Sequence, residues 1–234
     1  MKSVYYLLLA IIVFLFFQSC SEDDLTSEKN LPQEEELSFE EEYFLEVAME
    51  KEFGDNVFRI KKWNTDLLIY LNDTLNSELV DEFELVKDEI NELSSSIQLK
   101  RVYEESQANF VIFFSDKDTY GNYEPNAVDF LDDNWGLTWI YWDSDCSIYK
   151  GSLYVDTVRN NDLNCIKHLL REEFTQGLGL LNDSFEYPQS IFYQEWTCTT
   201  FYTELDKQVI EFFLNPLIES GMNRNQVLEI LGQL

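Results

Sequence analysis

The segment richest in side chains that could do chemistry is 170–184, LREEFTQGLGLLNDS. Glu172 and Gln176 are four residues apart, so on a helix they share one face and can contact one metal ion. Glu173 stands between them, where its carboxylate could reach a metal-bound water and take its proton. Gly179 is placed to end the helix and turn the chain, which would bring Asn182 back toward the same point. We therefore predict Glu172, Gln176 and Asn182 as candidate metal ligands and Glu173 as a candidate catalytic base.

This spacing resembles H-E-x-x-H-x-x-G-x-x-H, the motif of the metzincin zinc peptidases, with all three histidines replaced. Zinc prefers imidazole and thiolate ligands, so one carboxylate and two amides would bind it weakly. Such a site would also give a bound water little reason to ionise near neutral pH. Calcium could use the oxygens, but it normally takes about 6–8 of them. We expect no resident cofactor, with zinc or calcium as the alternatives.

The same stretch is similar to an uncharacterised bacterial family of zincin-like domains of unknown function. Its typical motif, R-E-E-x-x-Q-x-L-G-x-x-N-D followed by S-x-F, matches 171–183 and 190–192, and LNPLIESGM at 214–222 matches the family's ending. The resemblance covers roughly residues 55–232 and implies a zincin-like fold, but it names no reaction. The chain departs from the family at His168 and at Tyr193-Gln194, where the family often has Asn-Asp.

A simpler interpretation of the helix needs no site. On a helical wheel its polar positions lie opposite an apolar stripe, so a solvated polar face would explain Glu172 and Gln176. Glu173 lies at the edge of the stripe and needs a partner, while His168, four residues before Glu172, is placed to hydrogen-bond it. The stripe consists of Leu163, Ile166, Leu170, Phe174 and Leu178.

The aromatic run LTWIYW at 137–142 is predicted to be a strand. In the zincin arrangement, the strand beside the active-site helix is the edge that aligns a peptide by strand addition, so Trp139 and Tyr141 mark a possible substrate strand. Cross-strand packing is the alternative reason for such aromatics. The segment from Asp116 to Gly121 begins like a calcium-binding loop but has Tyr120 where an oxygen ligand belongs, which favours an acidic surface loop.

The N-terminus reads as an export signal. Lys2 is followed by an apolar run over 4–17, whose 14 residues fall short of the ~20 that span a bilayer as a helix. Gln18-Ser19-Cys20 resembles the lipobox of bacterial lipoproteins, which implies that residues 1–19 are removed and that Cys20 carries the lipid. An ordinary signal peptide with an incidental cysteine is the alternative.

Residues 20–37 are polar and acidic, so they bury too little apolar surface to order themselves and are predicted to form a flexible tether. Acidic residues just after a lipidated cysteine also resemble the surface-export signal of some Gram-negative lipoproteins. That resemblance implies an outer-membrane lipoprotein displayed on the cell surface. Acidic tethers also serve solubility, so both interpretations stay open.

The net charge and the cysteine content limit the possible functions further. The chain holds 16 Lys plus Arg against 45 Asp plus Glu, and the removed segment contains only Lys2 among them, which leaves 15 minus 45, or −30. Such a charge repels phosphate backbones and argues against nucleic-acid binding. Three cysteines besides Cys20 allow one disulfide in an oxidising compartment, and Cys146–Cys165 is predicted because these two are closest in sequence.

Periodicity predicts one α+β domain over residues 38–234, with a mixed twisted sheet, a backing helix, a central active-site-type helix and a C-terminal helix. Ser38 and Glu41 form a capping box at the first helix, and Asp162 is a plausible cap for the central one. The predicted helices are 38–53, 76–93, 163–178, 203–219 and 225–231, and the predicted strands are 57–71, 110–114, 137–142 and 148–155.

Three functional hypotheses follow. The first is a lipid-anchored cell-envelope protein whose degenerate metallopeptidase-like domain binds an extended peptide or an envelope protein. The second is an active metal-dependent peptidase that uses Glu172, Gln176 and Asn182, with Glu173 as base. The third is a purely structural envelope protein without a ligand.

Overall fold

Residues 37–49, 59–72 and 76–234 are described by a computed structural model of the chain. The predicted signal peptide, Cys20 and the tether as far as residue 36 lie outside the described residues, and they remain predictions. Within the described ranges, no helix is both long enough and apolar enough to cross a membrane.

A six-stranded mixed sheet forms the centre of the domain. Strands β1, β2, β3, β4 and β6 are parallel to the strands they pair with in the order β1-β6-β4-β2-β3, and β5 pairs antiparallel with β6. The aromatic strand predicted at 137–142 pairs antiparallel with the strand that follows it, so the two form a hairpin. The strands are β1 Lys62–Trp63, β2 Leu67–Leu71, β3 Leu99–Val102, β4 Phe110–Ser115, β5 Gly136–Trp142 and β6 Ser147–Asp156.

Local capping chemistry sets where the helices start. Ser38 Oγ accepts from Glu41 N at 3.2 Å and the Glu41 carboxylate accepts from Ser38 N at 2.7 Å, which confirms the predicted capping box. Asp162 accepts from the first backbone amides of the central helix, also as predicted. The helices are α1 Phe39–Met49, α2 Ser77–Leu93, α3 Lys117–Tyr123, α4 Leu163–Gln176, α5 Glu204–Phe213 and α6 Arg224–Leu231.

Several predicted boundaries are wrong for identifiable reasons. The predicted strand 57–71 begins outside the described residues, and its described part, 59–71, is not one strand, because the chain bends between β1 and β2. The supposed acidic loop after β4 contains α3, whose N-cap is Asp116, an oxygen acceptor for Thr119 N at 2.8 Å. The C-terminal helix ends at Phe213, since Pro216 disfavours helical backbone at the residue before it.

The two faces of the sheet are covered differently. On β4, Phe110, Ile112 and Phe114 point into the main core with the large helices, whereas Val111 and Phe113 point into a smaller cluster with α3. This alternation follows from the two-residue period of a strand. Strand β5 has a paired edge facing β6, and no other strand of the described residues pairs with its second edge.

The predicted Cys146–Cys165 disulfide is wrong. Cys165, on α4, is bonded instead to Cys198, with the two Cα atoms 4.3 Å apart, and Cys146 is free and half-buried. Cys146 lies in the turn between β5 and β6 with φ of 61°, where its backbone N donates to Asp143 O. Nearness in sequence therefore misled the prediction, because the turn and α4 occupy different places in the fold. The bond fixes the strap, which we define as residues 194–201, to α4.

Candidate functional site

The site is built around α4 and the turn that ends it. Gly179 has φ of 124°, the left-handed backbone that was predicted, and a Cβ there would lie 2.0 Å from Lys61 O. Only glycine fits so close to a backbone carbonyl without displacing it. The turn thus holds the chain after α4 tightly against the segment leading into β1.

Arg171 lies on the side of α4 that faces the core. It is fully buried, its guanidinium pairs with Glu89 and with Glu82 Oε1 at 3.0 Å, and its Cζ atom lies 4.5 Å from the Tyr202 ring centroid. A buried cation needs such partners, because an unpaired one would be costly. The first residue of the R-E-E motif therefore joins α4 to α2 and lies away from any opening.

Glu172 lies on the opposite side and pairs with His168, as predicted. The His168 Nε2 and Glu172 Oε2 atoms are 3.3 Å apart, and the ring's Nδ1 is 2.8 Å from Thr199 O on the strap. Burial of the ring alone lowers the pKa of His168, but the Glu172 carboxylate and the Thr199 carbonyl together raise it above its ordinary value. His168 is only 3% exposed, so this face of the helix is not the solvated face of the simpler interpretation.

Glu173 is wedged between α4 and β5. Its side chain is 8% exposed and lies against Gly136, where an added Cβ would be 2.8 Å from Oε1. Thr138 Oγ1 donates to the backbone carbonyl of Glu173 and so joins the strand to the helix at this point. The candidate base therefore sits where the first residues of β5 meet the helix.

Gln176 and Asn182 are turned to different places. Gln176 Nε2 donates to Asp183 Oδ1 at 2.7 Å, whereas Asn182 Nδ2 donates to the backbone carbonyl of Asp183 at 2.9 Å. Asp183, not Asn182, is among the residues that line the opening beside α4. The turn therefore brings the chain back to Gln176 as expected. Asp183, however, occupies the position that was predicted for Asn182.

An open groove of about 930 Å³ runs between α4, β5 and the strap. Five consecutive residues of β5, Gly136–Ile140, line it, although alternate residues of a strand point to opposite faces. This is possible because the unpaired edge of β5 itself forms one wall. The α4 residues of the opposite wall recur every three or four positions: Cys165, His168, Leu169, Glu172, Glu173 and Gln176.

The two predicted aromatics of β5 differ in their surroundings. Trp139 lines the groove and packs on Phe130, with ring centroids 5.8 Å apart. Tyr141 donates from its hydroxyl to Glu124 Oε1 at 2.7 Å and accepts from Asn126, and it is not among the groove residues. Tyr141 therefore packs at the end of α3, where Glu124 is the C-cap.

The donor set does not fit a standard zinc site. Glu172 is held by His168, the amide nitrogen of Gln176 is held by Asp183, and Asn182 is turned away from the groove. Among the described residues, no group of three or more histidine, cysteine, aspartate or glutamate side chains is placed to hold a metal ion.

Sequence reasoning missed the far wall of the groove. The strap contributes Trp196, 58% exposed, whose ring meets Trp135 edge-to-face at 5.5 Å between centroids. Two tryptophans 61 positions apart give no periodic pattern that could have paired them. The one available clue was Cys198, two residues from Trp196, because a disulfide must fasten its surroundings to another element.

Comparisons with known proteins give the family but not the activity. Two solved structures of myroilysin align with TM-scores of 0.42 and 0.38, at 10% and 12% identity. The alignments cover 74% and 67% of this chain and 93% and 83% of theirs, and at TM-scores below 0.5 they assign neither fold nor reaction. No curated protein matches the chain. A family model described as "Protein of unknown function (DUF2927)" matches residues 38–233, and the chain therefore belongs to the DUF2927 family.

Proposed function

We propose that this protein is a lipid-anchored cell-envelope module whose degenerate metallopeptidase-like domain binds an extended peptide in the groove beside α4. The observation that carries the proposal is the second edge of β5, with which no other described strand pairs and which forms one wall of the groove along Gly136–Ile140. A free strand edge presents rows of backbone donors and acceptors that an added peptide strand can satisfy.

The zincin-like part of the proposal has separate support. This support comes from a helix that carries Glu173, a glycine with left-handed backbone three residues after its end, and the strand β5, antiparallel to β6, beside it. The contacts at Glu172 and Gln176 explain how such a frame can persist without metal ligands, because protein partners satisfy these side chains. A binding role follows from a retained groove without the usual ligand set.

Peptide N-methylation tests strand addition directly. An extended peptide found to bind the full chain, purified in mild detergent, is resynthesised with alternate amides methylated, first on one edge and then on the other. Methylation removes the N–H donors of one edge only, so we expect one set to lose binding and the other to keep it. Equal binding by both sets would contradict docking on β5.

An active metal-dependent peptidase is the alternative, and the placement of the Glu173 carboxylate in the groove is the observation that favours it. Glu173→Gln keeps the shape of the side chain but removes the base. Metal content by mass spectrometry and peptide hydrolysis, measured on both proteins, decide between the alternatives. If Glu173→Gln abolishes peptide hydrolysis without changing the free energy of unfolding, the protein is an active peptidase and the binding proposal is wrong.

The anchor is proposed from Gln18-Ser19-Cys20. Metabolic labelling with a radioactive fatty acid should mark the wild-type chain and should fail with Cys20→Ser. Protease treatment of intact cells then tests display on the outer membrane surface, because only an outward-facing domain is cleaved. Label on the serine variant would contradict the lipid site.

A further inference from the structure

We infer that the groove selects peptides that carry a basic side chain, with the Trp135–Trp196 pair and the surrounding carboxylates as the selecting subsite; this inference rests on the proposed peptide-binding function. The charge of the lining is strongly one-sided. Six carboxylates face two basic residues, Lys61 and His168, and His168 is already paired with Glu172. The six are Asp133, Asp162, Glu172, Glu173, Asp183 and Glu195.

The tryptophan pair gives the groove a feature that an acidic surface lacks. Trp135 is 37% exposed and Trp196 is 58% exposed, although both are large apolar side chains that normally bury most of their surface. The faces of tryptophan rings attract ammonium and guanidinium groups, and Lys61 Nζ already lies 5.0 Å from the Trp142 ring centroid in the same groove. Glu195, beside Trp196 on the strap, brings a carboxylate to the pair.

Asn160 is an independent sign that a ligand belongs here. It lines the groove next to the N-terminus of α4 and is 5% exposed, and its Oδ1 accepts from Asp162 N at 3.0 Å. Its Nδ2 has no hydrogen-bond partner among the described residues. A buried donor without a partner is costly, and because Nδ2 is shielded from solvent, a ligand acceptor such as a peptide carbonyl would relieve that cost only after the side chain rotates toward the groove.

The inference is tested by calorimetric titration of the full chain in mild detergent with three peptides of one length and one β-prone backbone. They carry lysine, glutamine or glutamate at the same central positions. We expect the lysine peptide to bind about tenfold more tightly than the glutamine peptide, with a preference that shrinks as salt is added. The glutamate peptide should bind most weakly.

Variants separate the subsite from the overall negative charge of the chain. Trp196→Ala should remove most of the lysine-over-glutamine preference, whereas Phe201→Ala should leave it intact, because Phe201 is a similarly exposed aromatic of the strap that does not line the groove. Asn160→Asp keeps the oxygen that accepts from Asp162 N but loses the amide donor, and it should weaken the glutamine peptide several-fold. Thermal unfolding of each variant verifies that the fold is kept.

The outcomes are distinguishable. If none of the three peptides binds, the proposed function and this inference both fail. If they bind equally, or if the glutamine or glutamate peptide binds more tightly, the groove remains a peptide site and the basic selectivity is overturned. If the preference survives Trp196→Ala, it arises from bulk charge and the subsite is overturned.

Discussion

Arg171 and Glu172 are neighbours on α4 but lie in opposite environments. The guanidinium is fully buried between Glu82, Glu89 and Tyr202, while the carboxylate faces the groove and pairs with His168. A helix turns by roughly 100° per residue, so one step moves a side chain from the core to the opening. The motif R-E-E therefore combines a residue that joins helices with residues that line a site, and residue type alone does not separate them.

The largest expected effect is on the buried side. Arg171→Met fills the space but leaves the carboxylate of Glu82, only 6% exposed, with Lys167 as its remaining cation, 3.6 Å away. The free energy of unfolding should fall by about 3–5 kcal/mol, measured by urea denaturation. Arg101→Met is the matched control, because its pair with Glu84 is partly exposed and should cost less than about 1 kcal/mol. Equal losses would show that Arg171 is not a core anchor.

The disulfide should have the next largest effect. Replacing both Cys165 and Cys198 by alanine releases a loop with a sequence separation of 33, and loop-closure entropy predicts a loss of about 3–4 kcal/mol. The strap would loosen as well, so binding at Trp196 should weaken beyond what unfolding explains. Cys146→Ala removes a free, half-buried thiol and should change stability by less than about 1 kcal/mol. A stable double variant with intact binding would show that the strap needs no covalent tie.

The helices and turns that support the site differ from the site itself in how well the sequence predicts them. Apolar periodicity revealed α2 and α4, and glycine after the helix revealed the turn at Gly179, because these depend on neighbours in sequence. The four-residue β3, LKRV, was missed, since so short a strand has no period to detect. Two features depend on contacts between distant segments. They are the pairing of Trp135 with Trp196 and the presence of Asp183, rather than Asn182, at the groove. Such contacts are set by packing, which one sequence does not reveal.

Gly179→Ala tests the turn that connects α4 to the residues after it in the site. The new Cβ would lie 2.0 Å from Lys61 O and would need a left-handed backbone, so we expect a loss of about 3 kcal/mol. Gly232→Ala serves as the control, because its φ is −64° and a Cβ there has only ordinary contacts, the nearest at 3.6 Å. Chemical denaturation of the two variants should differ widely. A mild Gly179→Ala variant would mean that the turn can relax without cost.

Lys62 extends the buried side of the comparison to a cation that hydrogen-bonds to backbone carbonyls. Its Nζ donates to Asn215 O and Ile218 O, and burial lowers its pKa to about 8. Between about pH 8 and the ordinary value of 10.5, the unfolded chain holds a proton that the folded chain has released, so stability rises with pH. Relative to Lys62→Met, the wild type should gain about 2 kcal/mol between about pH 7 and pH 9.5. A pH-independent difference would refute the lowered pKa, and shared tyrosine titrations cancel in the comparison.

The smallest effect on stability is expected at Glu172, and it sharpens the comparison most. Glu172→Gln keeps an oxygen near His168 Nε2, and the loss of attraction to this ring is offset by weaker repulsion among the five other carboxylates of the lining, so the free energy of unfolding should change by less than about 1 kcal/mol. Glu82→Gln makes the same chemical change on the buried side and should cost several times more, because the Arg171 cation would lose one of its two charged partners. Binding should show the reverse order: Glu172→Gln weakens a lysine-containing peptide and Glu82→Gln leaves its affinity unchanged in the folded fraction. If both variants change the free energy of unfolding alike and neither changes peptide binding, then the two sides of α4 do not differ in role. The proposal that the groove side of α4 is the functional side would then be wrong.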